Sequence, residues 1–438
     1  LFPLYDKKSK FTYSPISFYE DIYLFRPEFE RNKKLGLYFR KLNKKTMVPG
    51  PSVKITELDY SEKSKGNSGN FNFSTSPDST KLLVYGNLPY EKGENQKFNI
   101  MVLDTDMSKI WEKGVTLPYI DDLFEVIDLD VSNDGQVLIL GKAYEKRENK
   151  PNSLKRKKAT KEGKPNYSHK VIFVSPGSET LREVSIEPDN YFLGKVSVNY
   201  QNDGNVSCVG FYSESTYGDL LGTYYSKIDG SNGTSLVANY YDLKDAMNQS
   251  DDESDTELSS NYLIQALVPV NDGGTLALAE YFGFSVQSTT SSSGRVRYTY
   301  RYSYNNIIAI RISERGEILW TTKIPKRQYT SNDEGAASSF ALCVVDTKVY
   351  LVYNDLEDNL NETEYKKLKK YTGRKAKKAI VTLAILNNDG SYERQKLTSR
   401  KEMELIAIPK AGEQVSDNSM LLFGYLKGNE RFLEISFE

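Results

Sequence analysis

The chain is poor in the residues that most catalysis needs. Across 438 residues it has one histidine, two cysteines and two tryptophans. A single His169 with Cys208 and Cys343 cannot supply a His/Cys zinc centre, and no H-E-x-x-H or Cys-x-x-Cys spacing occurs. Serine-hydrolase chemistry needs a base beside its nucleophile, and the G-x-S-x-G elbow is absent. The phosphate-cradling G-x-x-x-x-G-K-[ST] pattern is missing too. Neither charge sign is in excess. The 58 Lys+Arg against 59 Asp+Glu leave a net charge of −1, which removes any global case for nucleic acid or an anionic membrane as partner. The longest apolar run, 379–386, is far shorter than the ~20 residues of a membrane-spanning helix. Leu1-Phe2-Pro3-Leu4-Tyr5-Asp6 has neither the charged nor the apolar region of a signal peptide and no initiating Met, so a processed or truncated chain is expected.

What is abundant is tyrosine, 32 of them, within a hydrophobic fraction of only 38%. Tyr-rich, Leu-poor composition favours sheet. A pattern recurs along the chain: an alternating strand, an Asp/Asn/Gly turn, and a second strand ending near glycine. It occupies 71–86, 126–141, 196–210 and 264–279, with weaker copies at 13–25, 340–353 and 407–424. Asn-Asp-Gly recurs in these turns because tight hairpins need residues that tolerate positive φ. A second strand pair follows each hairpin, as at 98–115, 306–324 and 379–397. Four strands per unit, repeated seven times over a spacing longer than a bare blade of ~40–50 residues, predict an all-β, seven-bladed β-propeller of four-stranded antiparallel blades. The reading takes residues 1–438 as one domain. Only three strands fit after residue 407, so the N-terminal segment 1–5 is expected to complete the last blade; if residues precede Leu1, the ring holds eight blades. Two β-sandwiches are the structural alternative.

In such a meander the first and third turns of each unit share one face, and the second turns share the other with the crossings between units. The second turns are the long ones: 27–34, 87–97, 145–168, 213–222, 283–304 and 354–378. Function is therefore expected on that decorated face. Three insertions stand out. Residues 146–164 are strongly basic, with Lys155, Arg156, Lys157 and Lys158 at their centre, and 366–378 carry Lys369, Lys370, Arg374 and Lys375 without an acid. Such tracts hold phosphate or acidic polymers, or are simply solvated loops, the commoner outcome. The crossing at 245–257 is acidic and could neutralise a basic neighbour. The third insertion places Tyr298, Tyr300, Tyr302 and Tyr304 on one side of a strand and Arg295, Arg297 and Arg301 on the other, as a β-ribbon would. Tyr and Arg concentrate binding energy at interfaces, so these seven residues are the candidate protein-binding site; the alternative is tyrosines that merely cover neighbouring loops.

Cys208 and Cys343 sit in apolar, strand-like runs and read as buried free thiols, with a disulfide between them as the alternative. His169 reads as structural. The stretch Asp130-Val-Ser-Asn-Asp-Gly135 opens like an EF-hand, but Gly141 stands where a bidentate Glu is required, so a hairpin turn accounts for it and no metal or cofactor is expected. Paired carboxylates for sugar chemistry stay open, because their separation is a three-dimensional quantity.

Asn87-Leu-Pro-Tyr-Glu-Lys-Gly-Glu94, Leu117-Pro-Tyr-Ile-Asp-Asp-Leu-Phe-Glu125 and Ile324-Pro-Lys-Arg-Gln-Tyr-Thr-Ser-Asn-Asp333 resemble a family of β-propeller-like proteins from Bacteroidetes, over nearly the whole chain. The resemblance implies a chain that continues upstream of Leu1 and a protein that is exported, periplasmic or associated with the outer membrane. It brings no activity and no site residues. The expected function is a non-enzymatic scaffold that binds protein partners, such as a membrane-associated envelope complex, through the decorated face. A glycan-binding or glycan-cleaving propeller, using acidic and aromatic residues near the central funnel, is the alternative.

Overall fold

The computed structural model describes residues 14–46, 48–59, 69–89, 91, 93–145, 160–161, 164–186, 191–215, 218–243, 261–373, 376–426 and 429–437. These residues form an all-β, propeller-like arrangement of seven successive antiparallel sheets of three or four strands, with one further two-stranded hairpin, Thr160–Lys161 and Lys164–Pro165, in the second connection of sheet three. Sheet one is Ser14–Phe18, Asp21–Phe29, Lys34–Leu42 and Val53–Asp59; sheet two is Asn70–Thr75, Leu82–Asn87, Asn95–Leu103 and Lys109–Ile120. Sheet three is Phe124–Val131, Val137–Tyr144, Tyr167–Val174 and Arg182–Ile186; sheet four is Phe192–Tyr200, Val206–Ser213, Leu220–Ile228 and Ser235–Asp242. Sheet five is Tyr262–Pro269, Thr275–Thr290, Val296–Ile312 and Ile318–Ser331; sheet six is Ala341–Val345, Lys348–Leu356, Ala379–Leu386 and Tyr392–Ser399. Among the described residues sheet seven has three strands: Ile406–Ser416, Ser419–Leu426 and Asn429–Ser436. The segment 1–5, expected to complete it, lies outside the described residues.

Position within a sheet explains the composition of each strand. Second strands such as Val206–Ser213 are buried along their whole length and read as continuous apolar runs, because neighbouring sheets cover both their faces. Fourth strands such as Lys109–Ile120 alternate, with one face wet. The core is accordingly divided among the gaps between sheets. Phe25, Leu37, Val84 and Met101 fill the gap between sheets one and two, and Leu138, Val171, Val198 and Tyr224 that between three and four. Ile22, Leu24 and Leu42 of sheet one pack against Val415 of sheet seven, and the first strands of these two sheets lie side by side.

Both tryptophans join neighbouring sheets. Trp111 Nε1 donates to Gly135 O in the first turn of sheet three at 2.9 Å, and Trp320 Nε1 donates to Asn388 O in the third turn of sheet six at 2.8 Å. The first turns are tight and use glycine at positive φ, as at Gly135 (85°) and Gly204 (80°). Asp130-Gly135 is indeed such a turn, and Asp130 itself is buried in the strand before it. The first turns of adjacent sheets meet on one face: Asp78 N, for instance, donates to Asn133 Oδ1 at 3.1 Å.

Two expected loop lengths are corrected. The connection at 27–34 is short, because Asp21–Phe29 continues to residue 29 and pairs with the next strand to its end. On the smoother face, by contrast, the third turn of sheet one spans 43–52. Cys208 and Cys343 are free and buried, with burial pushing the Cys343 thiol up to about 12. His169 is fully buried edge-on to the Tyr167 ring, 5.5 Å between centroids, and burial pushes it down to about 3.

Candidate functional site

Sheet five departs most from its neighbours. Its second and third strands run 16 and 17 residues, long past the body of the sheet, and are joined by a Ser/Gly tip at 291–295. The fourth strand accompanies them only as far as the Arg301–Ser331 pair. There Asn332 terminates the three-stranded part: its N–H donates to Tyr300 O and its Oδ1 accepts from Tyr300 N, both at 2.9 Å. Beyond that point the ribbon is two-stranded among the described residues.

Register sorts the ribbon's side chains. Phe282 pairs with Tyr304, Phe284 with Tyr302, Val286 with Tyr300, Ser288 with Tyr298 and Thr290 with Val296, so these residues share one face. Arg301 opposite Ser285 and Arg297 opposite Thr289 share the other. Phe284 stacks on Tyr300 with ring planes 16° apart and leans on Tyr302 at 5.2 Å. The outer part of the aromatic face is open to solvent: Phe284 is 54% exposed, Val286 49%, Val296 47%, Tyr298 57% and Tyr300 44%. A contiguous exposed apolar row on a β-ribbon is uncommon for a surface with no partner. Segment 281–304 contains three arginines and no acid, so the ribbon is a cationic as well as an aromatic surface.

The seven ribbon candidates do not form one surface. Arg295, Arg297, Tyr298 and Tyr300 are exposed, while Tyr302 and Arg301 are half-buried, the latter 5.9 Å above the Tyr329 ring. Tyr304 is buried at the ribbon base, against Phe282 and beneath Lys410 Nζ, which lies 4.3 Å from its ring centroid. The alternation gives its face correctly but not its depth. Lys410 gets there because the first strand of sheet seven bulges between Ile408 and Glu413, which carries that lysine across to sheet five.

Beneath Tyr304 lies a polar network that the sequence does not announce. Lys326 and Glu280 form an ion pair with both side chains wholly buried. Lys326 Nζ also donates to Gln328 Oε1 at 2.9 Å and to Tyr304 O at 3.3 Å, and Ser339 Oγ donates to Glu280 Oε2 at 2.6 Å. Gln328 Nε2 donates to Asn354 O at 2.8 Å, and Asn354 Nδ2 donates to Ala337 O and Ala407 O, both at 2.9 Å. Sheets five, six and seven are thus tied together under the ribbon. Burial lowers the Lys326 ammonium, with the Glu280 carboxylate opposing it. The crossing that roofs the network holds Asn332, Glu334 and Ser339 at φ of 55°, 56° and 66°, left-handed values that non-glycine residues adopt only when their surroundings enforce them.

The second insertion of sheet six is a docked element rather than a solvated basic loop. Tyr371 pairs with the fourth strand of sheet five: Tyr329 N donates to Tyr371 O at 2.8 Å, and Tyr371 N to Arg327 O at 3.0 Å. Leu368 and Tyr371 are buried. Lys369 Nζ pairs with Asp358 at 2.6 Å and Lys378 Nζ with the same carboxylate at 3.1 Å, while Lys370 Nζ sits 5.7 Å from the Tyr329 ring centroid. Much of the tract's charge is spent locally. The counter-charges Glu357, Asp358, Glu362 and Glu364 precede it in sequence, a signal missed by counting from residue 366. Arg374 and Lys375 lie outside the described residues, as do Lys155, Arg156, Lys157, Lys158 and the acidic crossing 245–257.

Carboxylates on the first strands have different roles. Asp130 accepts from Tyr200 N at 2.6 Å and Ser74 Oγ at 3.0 Å, bridging sheets two, three and four, and burial raises it to about 7. Asp128 accepts from Val198 N at 3.2 Å and is raised for the same reason. Both are occupied as strand-to-strand links. Glu413 is accessible to water yet ringed by protein, and desolvation pushes it up to about 7. Among the described residues no helix is long and apolar enough to cross a membrane, and no cluster of metal-ligating side chains occurs.

No family model matches the chain, and no curated protein does. Among solved structures it is similar to the Synechocystis apocarotenoid oxygenase, at 9% identity and a TM-score of 0.40 over 88% of this chain and 71% of that one. It is also similar to prolyl oligopeptidase B from Galerina marginata (10%, 0.35), spanning 97% of this chain but only 54% of that one. A protein of unknown function from Bacteroides caccae matches at 12% identity and 0.30, over 88% of this chain and 96% of the other. Likeness this distant carries no argument about activity.

Proposed function

We propose that the protein is a non-enzymatic scaffold: a closed seven-bladed ring that docks a protein partner on its ribbon. The observation carrying this reading is the exposed row Phe284, Val286, Val296, Tyr298 and Tyr300, mounted on strands whose base is held by a fully bonded buried network. Rigid aromatics lose little conformational entropy on binding and supply large contact areas. With Arg295, Arg297 and Arg301 nearby and no acid in the ribbon, the complementary partner presents an apolar centre with an acidic rim. The resemblance to Bacteroidetes propeller-like proteins supports placing this scaffold in the cell envelope, exported and associated with a membrane complex. Ring closure is supported by the packing of Ile22 and Leu24 against Val415.

The test compares proteins retained from native membranes by wild type, by Tyr298→Ser/Tyr300→Ser and by Arg297→Glu. Loss of two central aromatics should weaken a specific partner by about 30-fold or more. Charge reversal at Arg297 should slow association and weaken its salt dependence. A partner retained equally by all three proteins overturns the ribbon as the docking surface.

A further inference from the structure

Where the fourth strand of sheet five ends, the third strand, Val296–Ile312, continues toward the tip with one edge open among the described residues. Which backbone groups face that edge follows from Asn332. It bonds both the N–H and the C=O of Tyr300 from the fourth-strand side, so these groups point away from the ribbon's second strand. In antiparallel pairing the direction alternates from residue to residue. The N–H and C=O of Tyr298 and Val296 therefore point the same way as those of Tyr300, while those of Arg297 and Thr299 turn inward to the second strand. No strand among the described residues pairs with the outward groups of Tyr298 and Val296. An edge of this kind is a template for another strand.

The side chains beside this edge select the strand. Tyr298 and Val296 are exposed on one face, Arg295 and Arg297 on the other. Farther down the arginine face, Arg301 lies 5.9 Å from the Tyr329 ring centroid, which Lys370 Nζ approaches to 5.7 Å. Two cations thus share one ring, and none of these four cations has an ion-pair partner among the described residues. A second copy of the same edge is a poor occupant, because it brings arginine face to arginine face. The ribbon's other edge, on the second strand, offers Ser285, Gln287 and Thr289 on this face and so no charge that would attract an acid. An acidic strand is drawn to the third strand's edge alone.

We infer that the edge at 296–298 takes the partner by strand addition, and that the partner's docking segment is an extended peptide alternating apolar and acidic residues. This mode of docking rests on the scaffold reading, with the ribbon as its docking surface, and goes further in naming the edge and the peptide. The added strand runs antiparallel to the third strand, on the line that the fourth strand leaves at Ser331. Its backbone bonds the N–H and C=O of Tyr298 and Val296. Its apolar side chains lie beside Tyr298, and its carboxylates lie beside Arg297 and toward Arg301 and Lys370. Main-chain bonds supply affinity, and the two faces fix the register, since a slip of one residue sets carboxylates against the aromatic row.

The test titrates the full chain with short amidated peptides: alternating glutamate and valine, the same peptide N-methylated at its valines, and alternating lysine and valine. The first should bind, about tenfold or more tighter than the N-methylated form, and the lysine peptide should not. On binding, amide exchange at Val296 and Tyr298 should slow, while Arg297 and Thr299, already bonded within the ribbon, stay as they were. Tyr298→Pro removes an outward N–H and none within the ribbon, whereas Tyr298→Thr keeps it, so the membrane partner should be lost further with proline than with threonine. A partner lost equally with both docks on side chains alone, which overturns strand addition and leaves the ribbon reading standing; a partner retained by both removes the ribbon reading as well. Strand addition is also overturned if the glutamate peptide fails to bind, if N-methylation leaves its affinity unchanged, if exchange slows at all four residues alike, or if the chain alone sediments as a dimer that Tyr298→Pro dissociates.

Discussion

Replacing Lys326 by methionine tests whether the network under the ribbon governs its stability. Methionine fills much of the same volume but removes the ammonium that serves Glu280, Gln328 Oε1 and Tyr304 O. Glu280, wholly buried, is left with Ser339 Oγ as its remaining side-chain donor among the described residues. Hydrogen bonds to charged groups contribute roughly 1.5–3 kcal/mol each, and removing one partner of a buried pair costs about 3–5 kcal/mol, most of it the penalty of an uncompensated charge. Guanidinium unfolding at pH 7 should therefore show a loss of about 3–5 kcal/mol. The double variant Lys326→Met/Glu280→Leu removes both charges and should recover to within about 1 kcal/mol of wild type. Amide exchange at Tyr302 and Tyr304 should quicken in the single variant more than at sheets one and two, since those residues sit directly on the network. A single-variant loss below about 1 kcal/mol, or a double variant no better than the single, refutes the reasoning.

Other outcomes follow from other parts of the fold. His169 is neutral in the folded protein, so its contribution is present above its unfolded value near 6.5 and lost as pH falls towards about 3. Stability should drop by about 2 kcal/mol between pH 7 and 5 from this residue alone, and His169→Phe should flatten that slope in pH-dependent unfolding. A Cβ at Gly141 would lie 1.9 Å from Phe124 Cζ, so Gly141→Ala should cost about 1–3 kcal/mol, measured by the same unfolding assay. Trp320→Phe removes the bond to Asn388 O and should cost about 1 kcal/mol; the tryptophan emission that remains reports the junction of sheets two and three at Trp111.

The meander was legible because its signals are local. Asn-Asp-Gly turns, period-two alternation and continuous apolar second strands each follow from a few adjacent residues, and they placed sheet boundaries within a few positions. The ribbon was legible for the same reason. What the sequence hid depends on contacts between distant segments. Glu280 and Lys326 are 46 residues apart and meet only because their strands flank the same third strand of sheet five; Lys410 reaches Tyr304 through a bulge in another sheet. Tyr304 shares the periodicity of Tyr298 and Tyr300 but sits below the point where neighbouring sheets close over it. The tract around Lys369 looked solvated because its counter-ion Asp358 and its docking residue Tyr371 lie at opposite ends of the loop.

The central claim is that the ribbon, and not the opposite face, receives the partner. Amide hydrogen exchange of the whole chain, with and without the partner retained from membranes, tests it most directly. Slowed exchange across 284–302, with the turns at 132–136 and 201–205 unchanged, is the result the account predicts. Protection confined to those turns, with the ribbon exchanging as it does alone, would contradict it.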